Sequence, residues 1–106
     1  MSATFMHVGI PITTKKPGMT YSEDMKIWIS NPDDNELKIE YVKFEEGTPM
    51  PEIMHKNPHV AYLVDDMDKY LMQADRVIVE PVNIGGGTSI AFIVKDDTII
   101  ELMQNA

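Results

Sequence analysis

Pro58-His59-Val60-Ala61-Tyr62-Leu63-Val64-Asp65-Asp66, in the middle of a 106-residue chain, decides the fold. His59 to Val64 is a short apolar run rich in β-branched and aromatic residues and preceded by proline, which predicts a strand. Either aspartate after it can cap a helix, and Met67, Tyr70, Leu71 and Ala74 then fall at i, i+3, i+4 and i+7 on one apolar face. The helix therefore ends near Ala74. Val77-Ile78-Val79 predicts the next strand, Gly85-Gly86-Gly87 a loop, Ser89 to Val94 a strand, Lys95-Asp96-Asp97 a turn and Thr98 to Met103 a final strand. Residues 58–104 thus read as a β-α-β-β-β module.

The first half repeats this plan in a shorter form. Thr4 to Ile12, with Phe5, Met6, Val8 and Ile10, predicts a strand ended by Pro11 and a polar loop. Met25 to Ile29 and Leu37 to Phe44 predict a hairpin turned at Asn31-Pro32-Asp33-Asp34-Asn35. His7-Val8-Gly9-Ile10 matches His59-Val60-Ala61-Tyr62, and Ile39-Glu40-Tyr41 matches Ile100-Glu101-Leu102. Trp28 and Phe92 take corresponding places in this alignment. Positions 7 to 28 span twelve residues fewer than positions 59 to 92, the length of a helix with its connection. The first module, residues 3–46, is accordingly expected to lack most of its helix, with a turn over Pro17 to Asp24 in its place. Glu45 to Pro58, carrying Pro49, Pro51 and Pro58, reads as a hinge within a single domain spanning residues 1–106. The predicted fold class is α+β, built from two paired βαβββ-type modules.

Composition narrows the function. Hydrophobic residues make up 43% and charged residues 25%, as in ordinary globular domains. Net charge is −8 with no basic cluster and one arginine, Arg76, which argues against nucleic acid and against a polyanion clamp. No cysteine is present, so disulfides, thiolate zinc sites and cysteine nucleophiles are excluded, and any metal is left to His and carboxylate. The nine methionines are scattered and read as adaptable packing. No apolar run nears the ~18 residues of a membrane helix, and the opening residues lack the features of an export signal, so a cytoplasmic location is expected.

Each module offers one His in its first strand and one Glu in its last: His7 with Glu40, and His59 with Glu101. Taken singly, such a His is ordinarily structural and such a Glu ordinarily faces solvent. Their matched repeat positions favour a shared role as ligands. Both glutamates interrupt apolar strands, where an inward carboxylate is costly unless paired or coordinated, although alternation alone also allows both to point outward. Two imidazole nitrogens and two carboxylate oxygens suit one divalent Ni, Co, Zn, Mn or Fe ion and leave coordination positions open. Trp28 and Phe92 are candidates for core packing or for lining an apolar substrate pocket. His55 reads as an exposed residue of the connector. Gly85-Gly86-Gly87 lacks the Lys and Ser/Thr of a phosphate loop, and Asp65, Asp66 and Asp68 lack the spacing of a calcium loop.

Across nearly its whole length the chain resembles the vicinal oxygen chelate superfamily, which includes glyoxalase I, extradiol dioxygenases and bleomycin resistance proteins. The resemblance rests on His7-Val8-Gly9-Ile10-Pro11, Ile39-Glu40-Tyr41, Pro58-His59-Val60-Ala61 with the helix start after Val64, and Ala91-Phe92-Ile93 leading to Ile100-Glu101-Leu102-Met103. It implies a mixed sheet curved around a metal held by His7, Glu40, His59 and Glu101, a set similar to that of glyoxalase I. It further implies an isomerase, epimerase or lyase acting on a small vicinal-oxygen substrate through a metal-stabilised enediolate, with Glu101 as base and Glu40 as its alternative. The same fold also serves non-catalytic, resistance-type proteins that bind small molecules. Relatives of this kind commonly pair as homodimers.

Overall fold

The computed structural model describes residues 2–106. Eight strands and two short helices follow in the order β1 (Ala3–Pro11), β2 (Thr20–Ser22), β3 (Ile27–Ile29), β4 (Ile39–Phe44), α1 (Glu52–Lys56), β5 (His59–Val64), α2 (Met67–Gln73), β6 (Arg76–Asn83), β7 (Ser89–Lys95) and β8 (Thr98–Gln104). They divide between two compact units, one of His7–Pro58 and one of His59–Ala106 with residues 2–6. The α+β class expected from the sequence is the one observed. No helix among the described residues is long and apolar enough to cross a membrane.

In the second unit the strands lie in the order β5-β8-β7-β6, with β5 parallel to β8 and the other pairs antiparallel. Asp96 and Asp97 turn β7 into β8 with φ of 52° and 62°, the left-handed backbone that a two-residue hairpin requires and aspartate tolerates. The helix stands where the repeat predicts it. Asp66 accepts from the Lys69 amide at its N-terminus, and the Met67 amide donates to Gln104 Oε1 at 2.6 Å, tying α2 to the end of β8. Met67 then packs with Val64, Ala91, Ile93 and Leu102, which the two-residue period of β5, β7 and β8 brings to one face. β6 runs on through Pro81, which an edge strand accepts because one side of its backbone is unpaired.

Residues 2–6 complete this unit. Phe5 meets Tyr62 edge-on at 6.3 Å, and the Ser2 amide donates to Asp65 Oδ2 at 3.1 Å. That hydrogen bond holds the Asp65 carboxyl below its ordinary value. A carboxylate with a lowered folded pKa stabilises above its unfolded value, ~3.9, and the contribution disappears as pH falls through the lowered value. Protection of the residues 3–6 amides, measured against their intrinsic exchange rates, should therefore fall on acidification below about pH 4. Asp65→Asn should remove that pH dependence.

The first unit has the same strand order without the helix. Its sheet runs β1-β4-β3-β2, with β1 parallel to β4 and the remaining pairs antiparallel. Between β1 and β2 there is a loop, as the shortened repeat implied. Strand alternation and register put Val8, Ile10, Ile39, Tyr41, Trp28 and Tyr21 on the face that α2 covers in the other unit. The loop covers part of it: Lys15 Nζ lies 4.1 Å from the Trp28 ring centre and Lys16 Nζ 4.8 Å from that of Tyr41. Each such contact is worth ~0.5–1 kcal/mol at an exposed site, and the lysine stems shield ring surface as well. Lys15→Ala should shift the emission of Trp28, the sole tryptophan, to the red and raise its quenching by acrylamide. Unchanged fluorescence would show that the lysine does not shield the ring.

Four expectations need correction. The proline-rich connector contains a helix, α1, with Pro51 at its N-cap and Met54 buried. His55 belongs to that helix, stacks on Phe44 at 4.1 Å and makes a 3.1 Å hydrogen bond with the Met50 carbonyl, so it is packed rather than exposed. The hairpin strands are shorter than the apolar runs, because Lys26 and Lys38 adopt φ of 53° and 56°, which a strand cannot continue through. In return β2 adds a strand where only a turn was expected.

Candidate metal centre

The parallel pair in each unit places its His and Glu by the same rule. Glu40 lies opposite Gly9, two residues after His7, and Glu101 lies opposite Ala61, two residues after His59. Residues two apart in a strand share a face, so each Glu emerges on the same side of its sheet as its His. The residue directly across is Gly or Ala in both cases, which leaves room for the imidazole and the carboxylate to lean together. His7 Nε2 stands 3.4 Å from Glu40 Oε1, and His59 Nε2 stands 3.3 Å from Glu101 Oε1.

Both glutamates point inward, which settles the choice that alternation left open. His7, His59 and Glu101 are 6%, 5% and 7% exposed, and the Glu40 side chain is 15% exposed. Ionised carboxylates at such depth need a compensating charge or a ligand. The donor geometry fits a metal. Two atoms each ~2.1 Å from an ion, and separated there by an angle between a right angle and the tetrahedral one, lie ~3.0–3.4 Å apart. The observed separations fall at the upper end of that range and above the ~2.9 Å typical of an N–H···O hydrogen bond. Each pair thus offers two donors suited to a metal ion, His7 with Glu40 in one unit and His59 with Glu101 in the other.

Different neighbours position the two carboxylates. Glu101 sits in the middle of the β7-β8 ladder, directly opposite Phe92. Phe92 is buried and meets the His59 ring edge-on at 5.4 Å, so one aromatic residue buttresses both members of the pair. Glu40 has no such strand beside it, because β3 ends at Ile29. Ser30 and Asn35 continue the ladder instead. The Tyr41 amide donates to Ser30 Oγ at 2.8 Å, while Asn35 donates to the Ile39 carbonyl and accepts from the Ile39 amide. The residues on either side of Glu40 are thereby held by side chains doing the work of a strand. Sequence reading passed over both; the signal was an Asn and a Ser spaced around a turn and able to bond backbone groups.

Trp28 and Phe92 are not equivalent in register. Phe92 lies opposite Glu101, whereas Trp28 lies opposite Lys43, three residues beyond Glu40 and on the other face. Trp28 packs instead with Tyr21 at 5.0 Å and under Lys15.

The chain matches no protein-family model and no curated protein. Among solved structures it is similar to the crystal structure of a hypothetical protein from Bacillus halodurans C-125, at 20% sequence identity and a TM-score of 0.70, over 100% of this chain and 96% of that one. At that identity the likeness establishes a common fold, and the α+β, paired-module reading of the chain rests on it together with the strand order described above.

Proposed function

We propose that the chain is a divalent-metal-dependent isomerase, epimerase or lyase acting on a small compound with vicinal oxygens, with His7, Glu40, His59 and Glu101 as the ligand set. The observation that carries this reading is the repetition of one His–Glu arrangement, with the same register and the same spacing, in both units. Chance surface residues have no reason to repeat a buried, costly pairing. Two imidazoles and two carboxylates suit Zn, Ni, Co, Mn or Fe. The ion, when bound, would polarise two adjacent substrate oxygens and acidify the C–H α to the carbonyl.

The residues of the chain carry the proton. Glu101 takes it from the acidified carbon and returns it to the neighbouring carbon in an isomerisation, whereas in an epimerisation Glu40 delivers a proton to the opposite face of the same carbon. Packed against Phe92 and His59, the Glu101 carboxylate is held in place, and its 10% exposure lets the captured proton exchange with solvent before it is returned. Glu40, the more open of the two, completes the donor set.

The test combines two measurements on chelator-stripped protein reloaded with each of the five metals. Elemental analysis should return about one equivalent per chain, as a four-donor site requires. Proton NMR in D2O should show metal-dependent exchange at the hydroxyl-bearing carbon α to the carbonyl of α-hydroxycarbonyl and α-oxoaldehyde-adduct substrates. Metal uptake without exchange on any of them would assign the chain to the non-catalytic, small-molecule-binding alternative. Failure to bind metal would overturn the ligand set.

A further inference from the structure

We propose that the unit formed by His59–Ala106 and residues 2–6 binds a small apolar carboxylate in the cavity between α2 and its sheet, on the face opposite His59 and Glu101. The cavity has a volume of about 260 Å³ and is walled by Tyr62, Val64, Ile93, Ile100 and Leu102 from the sheet and by Tyr70 from the helix. Strand alternation puts these sheet residues on the α2 face, and it puts Ala61, Phe92 and Glu101 on the other.

The cavity exists because the covering helix is too short for its sheet. Seven residues of α2 extend ~10 Å, while the six- and seven-residue strands beneath it extend ~20 Å. Past Tyr70 and Gln73 the apolar strand surface has no helix above it. Ala3 stands there instead as a side wall, in a segment held by the Ser2–Asp65 hydrogen bond and the Phe5–Tyr62 ring contact.

Charge selects the ligand. This unit contains Lys69, Arg76 and Lys95 against eight acidic residues, so a cation is scarce in it. Lys95 is the one cation that lines the cavity, and it has no ion-pair partner among the described residues. Its nearest acidic neighbours in sequence are Asp96 and Asp97 in the turn, and the Asp75 carboxylate is occupied by the Asp96 amide at 2.9 Å. A neutral ligand would use the walls and ignore this ammonium; a carboxylate uses both. The volume lies just below the range of drug-sized pockets, ~300–1,000 Å³, which limits the ligand to roughly ten non-hydrogen atoms, such as a substituted benzoate or a short branched acid.

The test uses the full chain with methyl-labelled Ile, Leu and Val, titrated with 4-ethylbenzoate and, separately, with 4-ethylbenzyl alcohol. The acid should shift the methyls of Val64, Ile93, Ile100 and Leu102 and leave those of Ile27, Ile29 and Val42 in place. Lys95→Gln should weaken the acid about tenfold, the value of a hydrogen bond to a charged group, without changing the alcohol. Lys69→Gln should change neither. Ala3→Trp, at an exposed position that tolerates bulk, should block both ligands. No shift at the four methyls up to the millimolar range would overturn the site. Equal affinity for acid and alcohol, or an acid affinity indifferent to Lys95→Gln, would overturn the assignment of a carboxylate.

Discussion

Glu101→Gln should lower turnover by about 10²–10⁴-fold, the usual worth of a positioned general base, while the protein keeps its metal. The amide has nearly the shape of the carboxylate it replaces and retains an oxygen donor, so a side chain only 10% exposed needs no repacking. It cannot accept the proton. His59→Ala should act differently: it removes a donor, opens a void beside Phe92 and leaves Glu101 without the imidazole 3.3 Å away. Changes to outer-shell partners alone cost ~10–100-fold in metal affinity, so loss of a ligand should exceed that. Elemental analysis separates the two variants, and exchange of a carbon-bound proton for deuterium reads the chemistry. Full exchange by Glu101→Gln would transfer the base role to Glu40, and Glu40→Gln would then show the larger loss.

The second module was legible almost residue by residue. His59–Val64 is the strand that its composition predicts, and Asp66 caps the helix whose apolar face was read from Met67, Tyr70 and Leu71. These segments are locally consistent, with pattern, cap and turn pointing to one structure. The first module was harder to read because its elements are short. Three residues, as in Thr20–Ser22, are too few to establish a period, and α1 follows two prolines that read as breakers. Yet Glu52 in the first turn and His55 with Lys56 in the last are ordinary charge signals of a helix.

The candidate site could be proposed from the sequence as a set of residues, not as a geometry. His7, Glu40, His59 and Glu101 were found by their matched positions, but which face the glutamates used depended on strand register, which alternation cannot supply. The same limit explains the mismatch of Trp28 with Phe92. β7 and β8 are joined by two residues and β3 and β4 by nine, so an alignment anchored on the turns slides one hairpin along the other. Register, not spacing along the chain, puts Phe92 across from Glu101.

Leu102→Ala should destabilise the protein by ~2–5 kcal/mol, the range for emptying a fully buried leucine site. Leu102 is 2% exposed and packs among Val64, Met67, Ala91 and Ile93, where α2 meets its sheet. Each kcal/mol corresponds to ~4–8 °C in the melting temperature of a 60–100-residue domain, so thermal unfolding should move down by about 10 °C or more. Leu37→Ala, at a position 68% exposed, should move it little. The substitution also tests how far one strand can serve two purposes. Leu102 and Glu101 are neighbours in β8 yet face opposite sides of the sheet. Below the transition, where the ladder to β5 and β7 holds the backbone, the variant should match the native chain in the metal uptake proposed above. A loss of metal in the folded variant would mean that packing under α2 sets the orientation of Glu101, and that the two faces are coupled through the strand rather than separated by it.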